Sequence, residues 1–96
     1  MMTFTITEQI KGYTYITACD ADTGVSADYI ISDCSTTEDW DISAELDTIS
    51  GFEPDYILQI WGWSADGYLS IAKAQEGIEY HFKQMVKHYR EGWLGL

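Results

Sequence analysis

The side chains of this 96-residue chain that could do chemistry are 16 carboxylates, two histidines and two cysteines. His81 and His88 are seven residues apart and so share a helix face. No third ligand stands at metal spacing, and the i, i+4 pair of an H-E-x-x-H site is missing. They read as two exposed helix histidines. Asp20-Ala21-Asp22-Thr23-Gly24, followed by Asp28, faintly resembles a calcium loop. Its glycine comes one place early, and Ile31 occupies the position of the bidentate glutamate, so the segment reads as a turn. Cys19 and Cys34 have neither a C-x-x-C partner nor a nearby histidine, which leaves no zinc spacing; in a reducing cytosol they are expected to be free thiols. There is no G-x-S-x-G, no phosphate-binding loop and no G-x-G-x-x-G. No catalytic set, metal site or cofactor is expected, and the protein does not read as an enzyme.

The carboxylates carry more information through their distribution than through their number. Five Lys plus Arg against 16 Asp plus Glu leave a formal charge of −11. From Gly12 to Ala72 there are twelve acids: Asp20, Asp22, Asp28, Asp33, Glu38, Asp39, Asp41, Glu45, Asp47, Glu53, Asp55 and Asp66. That stretch holds no lysine or arginine. From Lys73 onward four bases face three acids. Ordinary soluble surfaces mix the signs, because crowded like charges cost stability. A base-free stretch of this length points to a binding face, and Asp20 to Asp55, with Trp40 among them, are its candidate residues.

The same charge excludes partners. A face this acidic repels the phosphates that dominate nucleic-acid affinity, and it repels anionic membrane surfaces as well. No run of about 18 apolar residues is present to span a bilayer. The N-terminal M-M-T-F-T-I-T-E lacks the basic and apolar regions of a secretory signal, so a cytoplasmic location is expected. The apolar fraction of 46 % is too rich for a disordered acidic tail. One domain spanning 1–96 is expected from the length.

The elements that must position these acids follow from periodicity. Thr3-Phe4-Thr5-Ile6-Thr7 alternates strictly; Tyr13 to Ala18 and Val25 to Ser32 are β-branched and aromatic, and turns fall at Lys11-Gly12 and Asp22-Thr23-Gly24. These segments predict a three-stranded antiparallel meander. Residues 35–51 predict a helix. Ser35 and Glu38 form a capping box, Ile42, Leu46 and Ile49 repeat at i, i+4, i+7, and Gly51 sits at the C′ position. On that helix Glu38, Asp41 and Glu45 would share a face flanked by Asp39 and Asp47, their Cβ atoms about 5–6 Å apart. It would present charge as a nucleic-acid backbone does.

Residues 52–69 admit a fourth strand or a short helix through Tyr56–Trp61, with the balance towards strand and Ser64-Ala65-Asp66-Gly67 as the next turn. Ile71, Ala74, Ile78, Phe82, Met85 and Tyr89 predict a long C-terminal helix ended by Gly92. The expected fold class is α+β, a small antiparallel sheet packed with two helices. Four tryptophans and seven tyrosines supply residues of the kind that anchor interfaces, Trp40 and the Trp61/Trp63 pair above all.

In size, charge and its E-D-W-D-I-S-A-E-L-D stretch, the chain resembles the small acidic inhibitors that bacteriophages and mobile elements carry against host defences. These are the anti-CRISPR and DNA-mimicking antirestriction proteins. The resemblance is to the class and matches no family motif, so no functional residue carries over. It implies a protein that occupies the nucleic-acid channel of a host effector, with a CRISPR interference complex favoured. Two other readings stay open. One is an immunity protein capping a basic nuclease toxin; the other is a glycan-binding or virion structural module using the tryptophans. The oligomeric state is open between monomer and dimer.

Overall fold

The computed structural model describes residues 1–33, 42–50 and 63–90. Five strands, β1 (Met2–Ile10), β2 (Tyr13–Asp20), β3 (Val25–Asp33), β4 (Ile42–Ser50) and β5 (Ser64–Tyr68), form one antiparallel sheet in sequential order. Helix α1 (Ile71–Arg90) packs on one side of it, chiefly over β3 and β4. The fold is α+β, as expected, with a five-stranded meander and one helix among the described residues.

The first three strands arise where alternation demands them. Gly12 and Gly24 close the two hairpins at φ of 85° and 77°, values that cost a side-chain-bearing residue strain. Every second residue of β2 and β3 points at the helix: Ile16 and Ala18 from β2, and Val25, Ala27, Tyr29 and Ile31 from β3, all buried. Helix α1 answers with Ala74, Ile78, Phe82, Met85 and Val86, each 1 % exposed or less. Its N-terminus is capped by Ser70, whose Oγ accepts a hydrogen bond from the Lys73 amide at 3.1 Å.

The helix predicted over 35–51 is not what the chain forms at its described end, where Ile42–Ser50 is strand β4. The reason lies in the pattern itself. Ile42, Ala44 and Leu46 alternate towards the core, and the pairing then shifts: Tyr29 faces Leu46 while Asp28 faces Thr48. Asp47 is the extra residue of a β-bulge, which returns Ile49 to the inner side opposite Ala27. Spacings of two, two and three residues therefore imitate the four-and-three repeat of a helix. Ser35, Glu38 and Gly51 lie outside the described residues.

Ser64-Ala65-Asp66-Gly67, expected as a turn, belongs to the strand Ser64–Tyr68 paired with β4. Gly67, at φ 79°, lies where that pairing shifts register, so the glycine serves a bulge. The segment Tyr56–Trp61, Gly92 and the side chains of His88 and Tyr89 lie outside the described residues. Among the described residues no helix is long and apolar enough to cross a membrane.

Candidate protein-binding face

With α1 on one side, the alternating residues on the other side of the sheet form a face that is open among the described residues. The register aligns them in rows across the strands. Thr3, Cys19, Ser26 and Ser50 make one row; Thr5, Thr17, Asp28 and Thr48 the next; Tyr15, Ile30, Glu45 and Ser64 a third. Small hydroxyl residues dominate. They hydrogen-bond along the rows, Ser26 Oγ to Ser50 Oγ at 2.6 Å, and Thr17 and Thr48 each donating to a different oxygen of Asp28 at 2.7 Å. Asp28 is thus held upright in the middle of the face by two neighbours on opposite sides. Glu45 lies one row over on the adjacent strand, a diagonal of about 7–8 Å between backbones. A shallow depression of about 310 Å³ between β4 and β5 is bordered by Glu45 and Asp66 with Ser43 and Ser64.

Among the described residues the bases keep to the helix and one turn, whereas the acids lie on both layers. Lys73, Lys83 and Lys87 are exposed on α1, the first paired with Glu76 at 3.3 Å, and Lys11 sits in the β1–β2 turn. No strand carries a base, because the chain has none before Lys11 and none between Gly12 and Ala72. Asp28, Glu45, Asp47 and Asp66 are exposed on the sheet layer, and Asp22 is exposed at the β2–β3 turn.

The other candidate acids divide. Asp20 is buried, 2 % exposed; its carboxylate accepts from Thr23 Oγ1 at 2.7 Å and lies 3.8 Å from the N-terminal amine. It organises the β2–β3 turn and is not displayed to a partner. Asp33 is half-buried at the end of β3. Glu45 and Asp47 come from a strand and its bulge, not from one helix face. Glu38, Asp39, Trp40, Asp41, Glu53 and Asp55, together with Trp61 and Cys34, lie outside the described residues.

A second cluster was not expected. His81, read from the sequence as exposed, is buried at 8 % exposure, and a 2.7 Å hydrogen bond joins its Nδ1 to the hydroxyl of fully buried Tyr29. Trp63 stacks on the imidazole at 4.7 Å and meets the Tyr29 ring edge-on at 6.0 Å. The Leu46 N–H donates to the Trp63 carbonyl at 2.8 Å, which ties the Trp63 backbone to β4. Burial pushes the Tyr29 hydroxyl well above its ordinary pKa, and burial raises Tyr68 as well. The signal for His81 was present in the sequence: it lies three residues after Ile78 and four before Met85, on the apolar stripe. Trp63 is thereby committed to the interior side of the sheet.

Among the described residues no three of His, Cys, Asp and Glu are grouped to hold a metal ion. Comparison of the chain with protein-family profiles, with curated proteins and with solved structures found no match. The arrangement is an acidic, hydroxyl-rich face. The buried dyad of Tyr29 and His81 serves the core.

Proposed function

We propose that this protein is an acidic inhibitor that lays the open face of its sheet on a phosphate-binding surface of another protein and blocks nucleic acid from it. The observation that supports this reading is the absence of bases from the sheet: a face carrying Asp28, Glu45 and Asp66 with no base on any strand, while Lys73, Lys83 and Lys87 stand on the helix beside Glu76 and Glu79. A surface built to hold phosphates is lined with Lys and Arg, and a rigid acidic sheet is complementary to it. Electrostatics of this kind chiefly set the encounter rate and the choice of partner. The depression beside Glu45 and Asp66 suits a guanidinium, which bonds carboxylates in a fork. The class resemblance points to a host-defence effector as the target, a CRISPR interference complex first. Trp63 is half-buried and stacked on His81 against the core, which weakens the glycan-binding alternative.

The test is capture of partners from a bacterial lysate on immobilised protein, compared with the triple variant Asp28→Lys, Glu45→Lys, Asp66→Lys. A nucleic-acid-handling complex should be retained at about 0.15 M salt and released steeply by more salt or by competing DNA. The folded triple variant should retain none of it. Retention that ignores salt, or that survives the triple reversal, refutes the reading.

A further inference from the structure

The sheet has one long edge with no neighbour among the described residues, β1. Nine-residue edge strands are usually guarded by proline, lysine or inward charges, because their free backbone groups template pairing. β1 has no proline and a single charge, Glu8, which follows a bulge at Thr7. The run Met2–Ile6 is bare.

The direction of its backbone groups follows from the ladder. Ala21 N–H donates to the Met1 carbonyl at 3.1 Å, so Met1 turns its backbone towards β2. Alternation along an antiparallel pair turns Thr3 and Thr5 the same way and leaves the N–H and C=O of Phe4 and Ile6 directed outward. Because α1 lies over β3 and β4, the apolar side chains of this edge overhang it. Ile6 is 47 % exposed, and a groove of about 340 Å³ runs between Phe4, Ile6 and Ile16 on the sheet and Gln75, Ile78 and Glu79 on the helix.

We infer that β1 pairs antiparallel with β1 of a second copy, about a two-fold axis at Thr5, making a continuous ten-stranded sheet. The segment Thr3-Phe4-Thr5-Ile6-Thr7 has the same polarity read in either direction. The axis sets Phe4 against Ile6 of the second copy and Ile6 against its Phe4. These are the residues whose outward backbone groups need partners, and each pair covers the groove from its own side. Charge selects the same occupant. A chain of net −11 can meet its own copy only through a neutral strip, and Met2 to Thr7 is one. Area permits it. With the axis at Thr5 the paired residues are Met2–Glu8, about 23 Å of strand, and a sheet with a helix on it is about 20 Å deep, so each copy offers on the order of 450 Å², the size of a weak pair that forms as concentration rises.

The experiment uses the protein alone, so its outcome is independent of the inhibitor reading. Sedimentation across micromolar to millimolar protein should show twice the 10.9 kDa mass appearing with concentration. Added salt should strengthen the pair by screening like charges, the opposite of its effect on a basic partner. Amide exchange supplies a site-specific readout: Phe4 and Ile6 should become protected as the dimer forms, while Thr3 and Thr5 stay protected throughout. Thr5→Glu, on an exposed side chain, places two carboxylates face to face at the axis. It should leave a folded monomer with fast Phe4 and Ile6 amides. A single 10.9 kDa species at every concentration and salt overturns the inference. So does a dimer whose Phe4 and Ile6 amides exchange freely, or one that Thr5→Glu leaves intact.

Discussion

Replacing Tyr29 by Phe removes one oxygen from the middle of the molecule and nothing else. That oxygen lies 2.7 Å from His81 Nδ1, between a tyrosine with no exposed surface and a histidine 8 % exposed. A buried hydrogen bond is worth about 1 kcal/mol net, and removing one of its two partners from the interior costs about 1–3 kcal/mol. Taking about 2 kcal/mol, the melting temperature of a domain this size should fall by roughly 10 °C. The rings keep their edge-on contact, so little packing is lost. His81→Leu costs more, because it also ends the stacking on Trp63 at 4.7 Å. The quantity of interest is the coupling in the double-mutant cycle, which cancels whatever else each side chain does. Urea unfolding of the wild type, both single variants and the double variant measures it. A coupling of about 1 kcal/mol or more is expected. Additivity within about 0.3–0.5 kcal/mol means that the two groups do not bond, and the account of the core built on them is then wrong.

Two further predictions concern stability. Burial raises the Tyr29 hydroxyl pKa above its unfolded value near 10, so the folded state favours the protonated phenol; the resulting stability is present below pH 10 and is lost as pH rises above it. Unfolding free energy should fall with a slope approaching about 1.4 kcal/mol per pH unit for this one proton, and Tyr29→Phe should remove that part of the slope, leaving the smaller share from Tyr68. Gly77 stands in the middle of α1, where alanine would ordinarily gain about 1 kcal/mol. A Cβ there would lie 2.9 Å from Cζ of Tyr68 and against its hydroxyl, so Gly77→Ala should destabilise by up to about 2 kcal/mol in thermal melts. In a Tyr68→Ala background the same substitution should stabilise, and failure of the sign to reverse refutes the close contact.

The α+β class, the first three strands, both of their turns and the C-terminal helix were decided locally. Thr3–Thr7 alternates without exception, Gly12 and Gly24 sit where positive φ is required, and the helix stripe from Ile71 to Met85 holds its period over four turns. The base-free stretch from Gly12 to Ala72 is likewise a property of the chain as written. What the chain alone left undecided was anything set by a neighbour. Ile42, Leu46 and Ile49 fit a helix as well as a bulged strand, and only the hydrogen-bonding edge of β3, shifted at Asp28/Tyr29, selects the strand. Ser64-Ala65-Asp66-Gly67 has the composition of a turn, yet the free edge of β4 takes it as a fifth strand. The acids were distributed by the same decision. Packing buried Asp20 in a turn, bound Asp28 between two threonines, and put Glu45 on an open sheet instead of a helix, because side-chain direction in a strand follows from pairing and the pairing partner is remote in sequence.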